Sequence, residues 1–461
     1  MSAVDICVRR RIDSKMPRTG ILSLMVILGL LISSCSKDIS EASTLDEDLT
    51  ERLIAISQGQ GLSYFTLPDS DDLSSIPQDP LNPLTAAKID LGRFLFHETG
   101  IAMNPALEQS VGMFSCASCH HAGAGFKAGR VQGIGEGGLG FGANGEGRIM
   151  DPSYPIGQVD FQKIASPTLL NGAFQPLTLW NGQFGGVGEN LAFSANWPDG
   201  TPLAVNHMGF EGLETQAIAG IGVHRLECTP DDIIGTPYEA MFDAAFPDLD
   251  ASNRYTNVNA GLAIAAYERT VMANQAPFQY WLKGNQSSMS QEEKEGALLF
   301  FGKARCYQCH TGPALNDMEF HAYGMKDLAG PGVLGVPNID TRHGRGGFTG
   351  LTEDHFKFKT PQLYSLGHNP FLGHGSSFSS VRDVVEYKNS GIKENPEVPD
   401  SQLSQEFTPL NLNASEIDAL VEFIEHGLND SNLDRYVPIS LPTGNCFPNA
   451  DAPSQEDLGC E

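Results

Sequence analysis

Two short stretches decide how this sequence is interpreted, CASCH at residues 116–120 and CYQCH at residues 306–310. Both fit C-x-x-C-H, the pattern that attaches a c-type haem. The two thiols can each form a thioether with a porphyrin vinyl group, and the histidine that follows lies under the iron as its proximal ligand. A zinc site would need a further ligand pair beside each thiol pair, and a redox C-x-x-C does not require the histidine. The motifs therefore predict two covalently bound c-type haems, held by Cys116, Cys119, His120, Cys306, Cys309 and His310.

The beginning of the chain has the pattern of an export signal. Residues 21–32 form an apolar run behind basic residues, too short to span a bilayer but suited to the core of a signal peptide. Ser33-Ser34-Cys35 follows at once and resembles a bacterial lipobox, in which the cysteine is lipidated. We therefore expect a lipoprotein signal peptide over residues 1–34 and a lipid anchor at Cys35 on the periplasmic side of a bacterial membrane. Plain secretion to the periplasm is the alternative.

The charge balance restricts the partners. The whole chain has a formal net charge of −27. Residues 1–34 carry five basic and two acidic groups, so their removal leaves −30. This charge argues against nucleic acid and anionic lipid as partners. It is compatible with steering of a basic redox partner and equally with a generally acidic soluble surface.

The regions around the two motifs form an internal repeat. LGRFLF at residues 91–96 precedes the first motif and GALLFFG at 296–302 precedes the second, and both have the pattern of a helix. Capping boxes begin further helices, Ser290 with Glu293 and Asn413 with Glu416. Strand patterns are few, and the loops are long and rich in Gly and Pro. The sequence thus predicts an all-α fold of two cytochrome c-like haem domains with long irregular loops.

The predicted boundaries follow from this repeat. After a polar tether over residues 35–77, we expect the first haem domain over 78–286 and the second over 287–436. In the tail over 437–461, Cys446 and Cys460 could pair in an oxidising compartment, which leaves Cys228 alone.

Several segments resemble the bacterial di-haem cytochrome c peroxidase and MauG family. SPTLLN at residues 166–171 followed by LWNG at 179–182 is similar to the segment that places a tryptophan between the two haems. LETQA at 213–217 resembles the helix that supplies a glutamine and then a glutamate to the peroxide pocket. KTPQL at 359–363 and PFLGHGS at 370–376 look like the loop over the second haem. The resemblance covers the chain from about residue 80 to 436.

The resemblance implies roles for further residues. The first haem would be peroxidatic and the second would transfer electrons, with Trp180 between them. Gln216 would orient hydrogen peroxide. The glutamate of the family falls on Leu226, so Glu227 or His224 would move the proton.

The chain departs from the peroxidases at both distal positions. Glu136 stands where the peroxidases have a removable second histidine on the first haem. We therefore expect the first iron to be open without reductive activation, as in MauG. The methionine that ligates the second haem of the peroxidases falls on Tyr387, and tyrosine is what MauG-type proteins have there. At two calcium-binding positions the chain has Ala165 and His368, which makes calcium doubtful.

Three classes of function are compatible with these features. The main prediction is a di-haem peroxidase that reduces hydrogen peroxide with electrons from a small periplasmic donor, such as a c-type cytochrome or a cupredoxin. The second is a MauG-like oxidase of protein residues, which Tyr387 favours. The third is a non-enzymatic, membrane-anchored electron carrier, against which an open distal site argues. The sequence fixes neither the donor nor the oligomeric state, and a homodimer remains an option.

Overall fold

A computed structural model describes residues 44–460, and these residues form a mostly helical fold with few strands. This confirms the helical character that the sequence predicts. The expected signal peptide and Cys35 lie outside the described residues. Within residues 44–460 no helix is both long enough and apolar enough to cross a bilayer.

The helices and strands are short and separated by long loops. The helices are α1 (44–56), α2 (Ala86–His97), α3 (Gly212–Val223), α4 (Pro230–Ile233), α5 (Tyr238–Ala245), α6 (Ala251–Arg254), α7 (Asn257–Thr270), α8 (Pro277–Leu282), α9 (Gln291–Phe300), α10 (Ile339–Arg342), α11 (Arg345–Thr349), α12 (Val381–Ser390), α13 (Ala414–Glu422) and α14 (Ala452–Leu458). The strands are β1 (Gly138–Leu139), β2 (Ile149–Met150), β3 (Phe320–His321) and β4 (Phe358–Lys359). They form two antiparallel pairs, β1 with β2 and β3 with β4.

The first hydrophobic cluster is built by α2, α3, α5 and α7 and adjoins the first motif. The Thr85 side chain caps α2 and the Thr256 side chain caps α7. Gly92 lies where α2 crosses α7, and a Cβ at this position would be 1.8 Å from the carbonyl oxygen of Ala263. Glycine therefore sets how closely these two helices approach.

The second hydrophobic cluster is built by α1, α8, α9, α12 and α13 and adjoins the second motif. Ser290 caps α9 and Asn413 caps α13, each in the capping box that the sequence predicts. Gly296 permits a close helix approach as Gly92 does in the first cluster, because a Cβ at residue 296 would be 2.0 Å from the carbonyl oxygen of Ala419 on α13. The internal repeat thus corresponds to two helix pairs in close contact, each beside one C-x-x-C-H motif.

The structure corrects the predicted tether in the part that it describes. Leu49 and Leu53 of α1 are fully buried in the second cluster, as are Phe65 and Leu67. The two leucines are four residues apart and share one helix face, a pattern that the polar average composition concealed. The segment from residue 44 to 67 therefore belongs to the body of the protein.

The boundary and the tail also differ from the sequence-based division. Phe278 of α8, predicted in the first domain, packs in the second cluster. The tail packs against the other half: the Phe447 ring contacts His97, and Asn449 pairs with Phe114 through the backbone. Cys446 and Cys460 form a disulfide in this tail.

Candidate haem sites

The first motif lies on a single turn, Cys116–Ser118, that the tail holds in place. Ser118 Oγ donates to Asn449 Oδ1 at 2.5 Å. His120 Nδ1 is 3.1 Å from the carbonyl oxygen of Phe126, so Nε2 is the nitrogen available to a metal; its one contact is with Gln162 Nε2 at 3.5 Å. Burial lowers the pKa of His120 to about 4, so the ring is neutral, the form that ligates iron.

The second motif has the same arrangement on the turn Cys306–Gln308. His310 Nδ1 is 3.0 Å from the carbonyl oxygen of Leu315. Burial lowers the pKa of His310 to about 4. None of the four motif thiols is in a disulfide. Each motif therefore offers unpaired thiols and a neutral imidazole whose other nitrogen is already hydrogen-bonded.

His120 borders a cavity of about 480 Å³. Gln216 and His224 line it, with Gly220 midway between them on the same side of α3. His224 Nδ1 lies 2.8 Å from Asp160 Oδ2. The charge of Asp160 raises the pKa of His224 above its ordinary value. The sequence-predicted residues Gln216 and His224 are thus brought together beside the first motif, with Asp160 as an addition that sequence reasoning missed.

The structure does not bring Glu227 to this cavity. Arg225 has a φ of +58° and turns the chain away after α3, and the backbone N–H of Glu227 donates to the carbonyl oxygen of Ile101 at 2.8 Å. Leu226, the position given by strict spacing, is buried in the first cluster. Of the two predicted acid–base candidates, only His224 lines the cavity.

Glu136 is fully buried, and its carboxylate is bound by groups other than those that line the first cavity. Its carboxylate accepts hydrogen bonds from the Tyr154 hydroxyl and from the backbone N–H of Leu107, and it pairs with Arg225. The histidines that line the cavity are His120 and His224. Apart from His224, which is held by Asp160, no histidine among the lining residues of the described chain is placed opposite His120.

Trp180 lines both cavities, the one beside His120 and the one beside His310. Its indole N–H donates to the carbonyl oxygen of Ala165 at 2.8 Å, which fixes the ring. The other two tryptophans lie elsewhere: Trp197 contacts His207, and Trp281 donates to Asp46. Trp180 is therefore the tryptophan that the fold places in the wall shared by the two sites.

His310 borders a cavity of about 180 Å³, and Tyr387 does not line it. The Tyr387 hydroxyl donates to the carbonyl oxygen of Tyr323 at 2.6 Å, and its ring packs against Phe378 and Phe407. This geometry argues against the predicted ligation by Tyr387. One residue along α12 turns a side chain by about 100°, and the neighbouring Lys388 lines the cavity.

The two sites therefore suit haem by their donors and by their space. Each combines two unpaired thiols, a neutral proximal imidazole and an adjoining cavity. These are the groups that a c-type haem requires, and Trp180 lines both cavities.

Comparison with known proteins also indicates a haem protein. The family model for di-haem cytochrome c peroxidase matches residues 86–287. The methylamine utilization protein MauG of Methylorubrum extorquens is 27% identical over 407 residues, covering 87% of this chain and 92% of MauG. The cytochrome-c peroxidase IdrP1 of Denitromonas iodatirespirans is 27% identical over 396 residues, covering 80% of this chain and 89% of IdrP1. Residues 86–287 thus resemble the di-haem cytochrome c peroxidases, and most of the chain is similar to MauG and to cytochrome-c peroxidases.

A solved structure supports the fold independently. A MauG-like protein associated with microbial copper homeostasis superposes with a TM-score of 0.55 at 21% identity, covering 80% of this chain and 95% of that protein. At this identity the likeness concerns the fold alone.

Proposed function

We propose that the protein is a di-haem peroxidase that reduces hydrogen peroxide at the His120 site with electrons that enter through the His310 site. The relatives named cytochrome c peroxidase support this assignment. The observation that carries it is the cavity beside His120, which is lined by an amide and an acid–base group, Gln216 and His224. A site that only transfers electrons does not need such a cavity.

Covalent attachment at both motifs is part of this proposal. The haem would supply the iron that binds peroxide and takes up its oxidising equivalents. The paired thiols of Cys116 and Cys119, and of Cys306 and Cys309, would fix the two groups, with His120 and His310 as proximal ligands. The two hydrophobic clusters would then be two haem domains, completed by segments from the opposite ends of the chain.

The side chains of the first cavity can perform the proton transfers of the reaction. Reduction of hydrogen peroxide to water consumes protons as well as electrons. Because Nδ1 of His224 is hydrogen-bonded to Asp160, Nε2 is the nitrogen that can take a proton from peroxide and return it to the leaving oxygen. Gln216, two turns earlier on the same face, can hold the peroxide by its amide. Trp180 provides an aromatic ring between the two sites for electrons.

The second candidate function is oxidation of protein residues in the manner of MauG. It is favoured by the 27% identity to MauG over 87% of the chain and by a first cavity to which Glu136 contributes no ligand. The position of Tyr387 outside the second cavity removes the argument that the sequence had provided for it. The peroxidase proposal therefore comes first. A carrier without enzymatic activity is the least compatible with the first cavity.

Steady-state reduction of hydrogen peroxide by a reduced c-type cytochrome or a cupredoxin tests the proposal. We expect turnover by the diferric protein without prior reductive activation. His224→Gln should lower kcat/KM by about 10²-fold or more, the usual contribution of a positioned acid–base group. Gln216→Ala should also lower kcat/KM, because peroxide would lose the amide that holds it. His207→Gln is the matched control, because His207 contacts Trp197 outside the cavity. Equal activity of all three variants would refute the assignment, and turnover only with protein substrates would favour the second candidate.

Lipid anchoring at Cys35 completes the proposal, with the protein on the periplasmic side of the membrane. The lipobox-like Ser33-Ser34-Cys35 supports it. Cys35→Ala should move the protein from the membrane fraction to the soluble periplasmic fraction. Retention of the variant on the membrane would contradict an anchor at this residue.

A further inference from the structure

Helix α12 presents a lysine to the cavity of His310. Val384 and Lys388 are about one turn apart, and both line this cavity. Tyr387 is rotated away around the helix, and its hydroxyl is satisfied by the carbonyl oxygen of Tyr323. The amine of Lys388 is therefore the donor group that α12 brings to the second site.

The Lys388 amine lies close to the residues of the second motif. Its Nζ is 3.0 Å from the centre of the Tyr323 ring, and the Tyr323 hydroxyl is 4.0 Å from Cys309 Sγ. Lys388 also lines a neighbouring cavity together with Cys306, Cys309 and His310. It thus lines both of the cavities that His310 lines.

Lys388 differs from the other lysines of the same cavity in its hydrogen bonding. Lys127 Nζ donates to the carbonyl oxygen of Phe371 at 2.7 Å, and Lys359 Nζ donates to that of Leu177 at 2.8 Å. For Lys388 Nζ, the described chain offers neither a hydrogen-bond acceptor nor a carboxylate, only the face of an aromatic ring. Lys388 is half-buried, and its amine is left facing the cavity. An iron atom in this cavity would satisfy the amine.

Other side chains with ligating atoms line this cavity, namely His321, Met325 and His374. The His374 ring stacks on Phe358 with 3.7 Å between ring centres and is 6.3 Å from the ring of Trp180. None of these three side chains lines the cavity that contains Cys306. Lys388 shares both cavities with His310, so it is better placed than the three to face the iron.

We propose that the neutral amine of Lys388 is the distal ligand of the second haem, opposite His310. This inference rests on the proposed attachment of a haem at residues 306–310. Tyr387 then has a structural role, tying α12 to the segment of Tyr323. An imidazole–amine pair places two nitrogen donors on the iron. A His/Met haem instead has one nitrogen and one sulfur donor, and this pair raises the reduction potential.

Three variants of the full-length haem-loaded protein test this ligand: Lys388→Ala, Lys388→Met and, as the matched neighbour, Tyr387→Phe. Electron paramagnetic resonance and near-infrared magnetic circular dichroism report the ligands of each ferric haem. We expect Lys388→Ala to lose the low-spin signal of the second haem and Lys388→Met to gain a thioether–iron band with a higher potential. Tyr387→Phe should keep the wild-type spectra. A low-spin signal that survives in Lys388→Ala, or disappears in Tyr387→Phe, would overturn the proposal.

Two further measurements distinguish an incorrect assignment of the Lys388 ligand from missing haem attachment or from a variant that does not fold. Mass spectrometry of each denatured variant counts the covalent haems, so an absent second haem in the wild type would contradict the proposed function itself. If Lys388 variants do not assemble, proton NMR of the reduced wild type decides. A lysine bound to ferrous haem has methylene resonances shifted far upfield by the porphyrin ring current. Their absence in the reduced wild type would overturn ligation by Lys388.

Discussion

Gly296→Ala should separate α9 from α13 and thereby destabilise the second half of the protein. The added Cβ would be 2.0 Å from the carbonyl oxygen of Ala419 and 2.7 Å from Cβ of Phe423. A contact with a backbone oxygen cannot be relieved by rotating a side chain, so the helices would have to separate by about 1 Å. Overpacking of this kind costs about 3 kcal/mol. Alanine gains about 1 kcal/mol over glycine in a helix, so we expect a net loss of about 2 kcal/mol.

The assay is chemical unfolding of the haem-loaded protein, with the midpoint followed by far-ultraviolet circular dichroism. Gly222→Ala on α3 is the matched control, because a Cβ at this position would meet no atom within 4 Å. It should be neutral or stabilising by about 0.5–1 kcal/mol. If Gly296→Ala and Gly222→Ala have the same midpoint, the close approach of α9 and α13 does not constrain the fold, and the reasoning is refuted.

Three further predictions concern the first site and its support. The neutral ring of His224 is the form that accepts a proton, so peroxide turnover should rise as the pH increases through the pKa of His224. Asp160 raises this pKa. Asp160→Asn should therefore move the rise in a pH–rate profile to lower pH. An unshifted profile would separate His224 from proton transfer. Trp180→Phe should slow electron transfer between the sites several-fold in stopped-flow spectroscopy at unchanged haem content, and an unaltered rate would show that electrons take another path. Ser118→Ala removes a buried hydrogen bond to Asn449 and should lower the free energy of unfolding by about 1 kcal/mol, whereas a surface variant, Ser74→Ala, should not.

The structure agrees with the sequence-based expectations where they have a local chemical reason. Both capping boxes begin helices because the reciprocal hydrogen bonds involve only neighbouring residues. Gln216 and His224 share a cavity because α3 keeps the four-residue spacing that a helix face requires. Trp180 reaches both cavities within a segment that was recognisable as a whole.

The structure differs from the sequence-based expectations where the position of a side chain depends on the rotation of a helix or on the residue at which the helix ends. Tyr387 and Lys388 are adjacent, and counting from a distant loop cannot decide which of them faces the cavity. Glu227 lies past the end of α3, where a positive φ at Arg225 redirects the chain. The boundary near residue 286 was drawn in a polar stretch, but packing of Phe278 into the second cluster decides the division. Such tertiary choices are not encoded in local patterns.

The exchange of chain ends between the two halves has a consequence for how the protein is made. The segment around Leu49 and Leu53 completes the half that contains the later motif, whereas the tail around Asn449 supports the earlier one. Under the proposed export with the N-terminus first, the earlier half lacks the support of Asn449 until the tail has crossed the membrane. A haem that reached the first motif before then would meet it without this hydrogen bond. Splitting the gene between the two motifs should yield two incomplete products.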